Sequence, residues 1–482
     1  MQPIGMSLLR EVSPRLWSIR SSEQVALAKR AAQITAELQQ GVKKPYKDVI
    51  DVSWGDAHRG GLKPLTFVRQ VIASCLYPSL LNSESLPIDV QQKAQNLLGC
   101  CEGGSVGAYT STCGIPKIVR SVSEFISRRD GGVESLPENI FITSGSQRSL
   151  MMVLKLFVQT ERSARTGVLV PVPSYPYFNM ALSMLGGVMV PYYLDEEHGW
   201  DVKVDELRRA LHAARGHCNP MALYITNPGN PTGHVQNRKS IEDVIQFAAE
   251  ENLFLLADEV YQDSVHDPES DFISYKKVLF EMGPPYSNSV ELASFNSISK
   301  GYFGECGVRG GYVEFVNLDP TVMECAYTLF STDTCASVLG QITLDILAHP
   351  PQPGDPSYPI FSEEIRAMKD TMISNVHRVQ EVIGSLPGMS CQPIKGAIFA
   401  FPQLHLPPSA VQQAEKAGVN PDVWYSSCLL DEAGLCVGPG CEHGQREGTH
   451  HIRLCIATTQ ENLEEVLTRL SAFHLSFKSR FF

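Results

Sequence analysis

Short continuous apolar runs alternate with amphipathic ones through the middle of the chain. MALYIT, ending at Thr226, LFLLA, running into Asp258, and ELASF, leading toward Lys300, are too short for helices and show no polar face. That predicts strands buried on both sides. Residues 202–214 and 240–251 carry apolar side chains at helical spacing, and each stretch is followed by such a run. NIFIT and VLVPV, further upstream, read as two more strands. Alternating β and α units predict an α/β fold with a mainly parallel central sheet covered on both faces.

The flanks show other patterns. Residues 22–38 predict a helix, residues 67–98 two helices separated by YPSLLNSESLP, and residues 118–129 an amphipathic helix stopped by RRDGG. DVSW, from Asp51, reads as a short strand turning at Gly55. After the proline-rich break at 351–359, a long helix over 361–383 and strands over 395–401 and 448–457 predict a smaller α+β domain. The expected organisation is an N-terminal segment and helix (1–50), a large domain (105–359) and a discontinuous small domain (51–104 and 360–482).

Chemistry-bearing residues gather at the predicted strand ends, where open α/β sheets bind ligands. Asn230 follows the first run, Asp258 and Tyr261 the second, and Lys300 the third. Lys300 stands in SISKGYFGECGVRGG among small residues, which leave room for a bulky group on its amine. A desolvated amine loses its proton easily and becomes a nucleophile suited to a Schiff base. Ser144-Gly145-Ser146-Gln147 lies between a strand and a helix, so free N–H groups and a positive helix end meet there as a phosphate seat. Tyr175, bracketed by Pro173 and Pro176, would present an aromatic face at another strand end.

GDAHRGGLKPLTFVRQV, GAYTSTCGIPKIVRSVSEFISRRDGG, NPGNPTGHVQ, LLADEVYQD, SKGYFGECGVRGGYVE and PGCEHGQREGTHHIR together resemble the alanine aminotransferase family. These are class I aminotransferases among the fold-type I PLP-dependent transferases, and the resemblance runs from about residue 40 to the C-terminus. It implies pyridoxal 5′-phosphate as cofactor and amino-acid and 2-oxo-acid substrates. The implied reaction converts L-alanine and 2-oxoglutarate to pyruvate and L-glutamate by a ping-pong cycle through pyridoxamine phosphate. By the same resemblance Lys300 is the catalytic lysine, Asp258 pairs with the pyridine nitrogen, and Tyr261 and Asn230 bind the phenolate oxygen. Tyr175 stacks on the ring, while Arg309, Ser297, Ser299 and the Gly145-Ser146-Gln147 backbone hold the phosphate, the two serines not being distinguished. Arg453 grips the substrate carboxylate. Tyr109 reaches the cofactor phosphate of a neighbouring subunit, which implies a homodimer.

Composition narrows the setting. A chain of 482 residues with 43% hydrophobic residues and a net charge of -12 is globular and offers no general nucleic-acid or anionic-membrane surface. The most apolar stretch, 168–194, is cut by four prolines and predicts no membrane span. Thirteen cysteines without a CxxC pair fit a reducing compartment. The first twenty residues weakly suggest a transit peptide but contain Glu11 and are short, so the expected location is cytoplasmic, with mitochondrial as the alternative. Cys441, His443, His450 and His451 match no compact zinc spacing, and no metal is expected.

The chain departs from the resembled family at Arg148 (usually an acid), Cys113 (glutamine), Asn296 (histidine), His443 (in GCEHGQ for GSGFGQ) and Ala336 (in a stretch that usually has two prolines). These changes leave open a paralogue that acts on another amino acid or catalyses another reaction at Cα. A non-enzymatic binding paralogue is the third alternative.

Overall fold

A computed structural model describes residues 22–160 and 165–481. The transit-peptide expectation for residues 1–20 lies outside the described residues.

Seven strands form the central sheet: β1 (Ile140–Thr143), β2 (Thr166–Val172), β3 (Val188–Tyr193), β4 (Asn219–Thr226), β5 (Phe254–Asp258), β6 (Leu292–Ser297) and β7 (Gly311–Val316). Their spatial order is β1-β7-β6-β5-β4-β2-β3. Neighbours are parallel except around β7, which runs antiparallel to both β1 and β6. The continuous apolar runs follow from burial of both faces. Leu223 and Ile225 of β4 pack with Leu207 and Val244 on one side, whereas Ala222 and Tyr224 pack with Leu150 and Phe178 on the other.

A second body gathers the long helix Tyr358–Ser385, the helix Pro421–Ala433, the C-terminal helix Gln460–Phe481 and a small antiparallel sheet around one apolar cluster. That sheet contains β8 (Phe399–Ala400), β9 (Gly438–Pro439) and β10 (Ile452–Cys455), ordered β8-β10-β9. The strands expected over 395–401 and 448–457 are therefore shorter. The expected strand at DVSW is confined to Ile50–Asp51, which pairs with Leu435–Cys436, and the chain leaves it before Trp54. Helices Thr66–Leu76 and Ile88–Leu98 share a core with Ile140, Ile142 and Tyr312 of the large sheet and with Phe361 at the start of the long helix.

Helix α1 (Glu23–Gln39) is placed by its ends and one face. Ser22 is the N-cap, accepting from the Val25 N–H, and Leu27, Ala31 and Ile34 pack on Leu430 and Cys436. The Glu442 carboxylate accepts from the Glu23 N–H and the Ser22 hydroxyl. A carboxylate at a helix N-terminus is favourable, so this contact fixes the start of α1 beside the cavity described next.

Candidate active site

The C-terminal ends of β4, β5 and β6 open into a cavity of about 470 Å³ between the sheet and the second body. Ser146, Gln147, Tyr175, Asn230, Asp258, Tyr261, Ser297, Ser299, Lys300, Arg309 and Arg453 all line it. Gly145 stands directly behind Ser146 at φ +95, and a side chain there would run into the Arg309 guanidinium. Arg309 donates to the Ser144 carbonyl at 3.0 Å and to the Cys306 carbonyl at 2.7 Å. Both acceptors are neutral backbone groups, so the guanidinium charge stays available beside the N-terminus of helix α2 (Ser146–Phe157).

Asp258 ends β5. Its Oδ2 accepts from the Tyr224 hydroxyl at 2.8 Å, and its Oδ1 accepts from the Val260 N–H at 3.4 Å. Burial pushes this carboxyl up to about 6, against the pull of Tyr224, Val260 and the Lys300 charge. Lys300 follows β6, and its amine donates to the Gly55 carbonyl. Desolvation moves it below the ordinary lysine value, which favours the neutral, proton-accepting amine.

Arg453, in β10, donates to Ser53 O at 2.5 Å, Asn230 Oδ1 at 3.3 Å and Gln24 Oε1 at 3.4 Å. Its guanidinium carbon lies 4.2 Å from the centre of the Phe399 ring. These hydrogen-bond partners are all neutral, and Nε has none among the described residues. A buried cation so arranged is prepared for an incoming anion. Asn230 also donates to the Tyr261 hydroxyl at 3.4 Å, linking the β4 and β5 ends. Gln147 donates to the Tyr175 hydroxyl, which holds that ring at the cavity wall.

The chain belongs to the class I and II aminotransferase family. Its family model, described as aminotransferase class I and II, matches residues 77–470. Alanine aminotransferase 2 of Xenopus tropicalis is 48% identical over 98% of this chain and 90% of the relative. Alanine aminotransferase 1 of Homo sapiens is 48% identical over 97% and 94%. Among solved structures, an alanine aminotransferase from Pyrococcus furiosus shares the fold with a TM-score of 0.75 at 19% identity, covering 97% of this chain and all of the other.

The cofactor of this aminotransferase family, pyridoxal phosphate, fits the residues present. The Gly145 cradle, filled by Arg309 and closed to any side chain, would supply N–H groups and a cation for a phosphate. Lys300 would supply the amine and Asp258 a buried carboxylate for a ring nitrogen, since both line the cavity. Ser297 and Ser299 both reach the cavity, Ser299 donating its N–H to Ser297 Oγ at 3.3 Å.

Tyr109 lies apart from these residues. It does not line the cavity, and at 77% exposure it is not packed beneath its own loop. The departures from the resembled family lie mostly outside the cavity as well. Arg148 pairs with Asp333, so a cation in the unusual place meets an acid. Cys113 borders the core around Phe141, and Ala336 is buried in the core around Ile142. Asn296 bridges Ser297 N–H and the Tyr312 hydroxyl behind the sheet. His443 is buried, its Nδ1 lies 3.0 Å from the Ser174 carbonyl, and its Nε2 has no partner among the described residues. His451 contacts Glu196 and Gln445, and no cluster of metal-binding side chains occurs among the described residues. No helix among them is long and apolar enough to cross a membrane.

Sequence reasoning missed Gln24, Tyr224 and Glu442. A tyrosine inside a buried apolar run was a usable signal for Tyr224, because a buried hydroxyl needs a partner. Gln24 gave none, since one partner is the Ser53 carbonyl and the other, Arg453, is 429 positions away.

The raised Asp258 value predicts a pH effect on cofactor-free protein. From the ordinary 3.8 up to about 6, the folded state binds this proton more tightly than the unfolded state. Ionising Asp258 therefore destabilises the fold as pH rises through that window, and the cost is absent below it. Asp258→Asn should gain stability relative to the parent as pH rises from about 4 to about 6, measured by urea midpoints of both cofactor-free proteins. A difference that stays constant with pH would refute the assignment.

Proposed function

We propose that this protein transfers an amino group reversibly between L-alanine and 2-oxoglutarate in a ping-pong cycle. The observation that carries the reading is the meeting of Lys300, Asp258 and Arg453 in one cavity. The names of the relatives at 48% identity support the choice of alanine. Bound pyridoxal phosphate supplies an aldehyde to take up the amino group and a ring to hold the electron pair left at Cα.

The chain's own residues supply the rest. Arg453 binds the substrate carboxylate through paired N–H groups and orients the Cα–H bond. Lys300, whose burial favours loss of its proton, accepts the Cα proton and returns it on the other side of the exchange. Asp258 keeps the ring nitrogen protonated, and Tyr261 with Asn230 hydrogen-bonds the phenolic oxygen. Arg309 and the start of α2 fix the phosphate, so the reacting end cannot drift. Tyr109 extends from its loop to the phosphate site of a partner subunit in a homodimer. The cytoplasm is the proposed compartment, supported by thirteen cysteines with no disulfide framework.

The test is spectroscopic. The visible band of the cofactor-loaded protein should bleach with L-alanine, release one pyruvate per site and return with 2-oxoglutarate. His443, with a nitrogen near Arg453 that has no partner among the described residues, favours a second reading in which another amino acid is preferred. A band that ignores alanine and bleaches with another amino acid would establish that reading instead.

A further inference from the structure

Tyr224 sits inside β4 with its ring fully buried. It stacks on Phe178 of helix α3 (Pro176–Met184), with centroids 3.8 Å apart and planes 11° apart. Register explains where its hydroxyl goes. Thr226 is opposite Asp258 in the parallel pair β4–β5, and Tyr224 lies two residues earlier on the same face. A tyrosine side chain reaches diagonally across that gap, and its hydroxyl meets Asp258 Oδ2 at 2.8 Å.

We propose that Tyr224 is a positioning residue for transamination, its hydroxyl holding the Asp258 carboxylate ionised and in a single orientation at the cavity. This inference rests on the function proposed above and adds a residue to it.

Three features carry it. The phenol is locked by the Phe178 stack, so its direction is set before anything binds. Tyr224 and Val260 N–H are the hydrogen-bond donors to the carboxylate, and the phenol gives the shorter contact. The phenol also stays a donor at every working pH, because burial and the Asp258 charge push its own titration far above the ordinary tyrosine value.

The other groups facing Asp258 do not replace it. Lys300 acts through its charge from the end of β6 and is itself the reacting amine. Tyr175, before α3, and Tyr261, after β5, are both kept neutral by burial, and their hydroxyls are engaged with Gln147 and Asn230. Without the Tyr224 hydroxyl, Asp258 becomes more basic and competes with the cofactor's ring nitrogen for the proton between them.

The experiment loads parent, Tyr224→Phe and Phe178→Leu proteins with pyridoxal phosphate labelled with ¹⁵N in the ring, and records the ring-nitrogen resonance and the single-turnover rate with L-alanine across pH. Tyr224→Phe keeps the stacked ring and loses only the hydroxyl. Its resonance should move toward the unprotonated position, and its alanine half-reaction should slow about tenfold. Phe178→Leu loosens the ring and should shift the resonance the same way by less. A parent-like resonance in Tyr224→Phe overturns the proposal, and should that variant not fold, a parent-like resonance in Phe178→Leu overturns it equally. A parent protein that takes up no cofactor would overturn the underlying function, and this inference with it, before any variant is compared.

Discussion

Lys300→Ala should lower alanine:2-oxoglutarate transamination by about 10⁴-fold or more while the protein stays folded. The expectation rests on where the amine lies. It is desolvated, donates to the neutral Gly55 carbonyl, and sits 5.9 Å from the Tyr261 ring centre. Among the described residues no other lysine lines the cavity, so no second amine there stands ready to carry the proton. Lys300→Arg should be equally inactive, since a guanidinium keeps its proton at working pH. Pyruvate formation measured with a coupled dehydrogenase, beside a thermal melt, checks both variants. Activity within tenfold of the parent would remove Lys300 from its assigned role.

Arg453→Gln should lower kcat/KM for L-alanine and for 2-oxoglutarate together, each by about 10²- to 10³-fold. The two substrates share an α-carboxylate, so a residue that grips that group must affect both. Arg453 is held on three sides by Ser53 O, Asn230 and Gln24 and packed over Phe399, which leaves its remaining donors for the ligand. Arg453→Lys should recover little, because an ammonium cannot make the paired contact. Cofactor uptake should stay near that of the parent, as the phosphate seat around Gly145 and Arg309 is built from other segments. Steady-state kinetics with each substrate varied in turn checks this, and a loss confined to 2-oxoglutarate would place Arg453 at the distal carboxylate instead.

Much of this architecture was legible because the large sheet is buried on both faces. That burial turns β4, β5 and β6 into continuous apolar runs, and each run ends where a polar residue is tolerated only at the cavity. Asn230, Asp258 and Lys300 stand out for that physical reason. The glycine at 145 was legible too, since a strand-to-helix turn at positive φ excludes side chains. Contacts made by backbone carbonyls and distant side chains were not. Gly55 O and Ser53 O carry no residue-type signature, although they hold Lys300 and Arg453. The short strands of the second body were overestimated at Lys395 and Gly448, because in so small a sheet few residues find ladder partners. Arg148 read as an anomaly until Asp333 was placed against it, and no local pattern predicts a compensating charge 185 positions away.

The contact between Gln24 and Arg453 also orders events during synthesis. Every strand of the large sheet has been made once Val316 emerges, and β1 joins that sheet only when β7 arrives beside it. Gly145, Asp258, Lys300 and Arg309 are therefore all available while more than a third of the chain is still on the ribosome. Leu430, Cys436 and Glu442, on which α1 docks, come later, and Arg453, which Gln24 of α1 contacts, comes after them. In chain order the residues proposed for the cofactor therefore all precede the arginine proposed for the substrate carboxylate, and domains commonly fold as they are made.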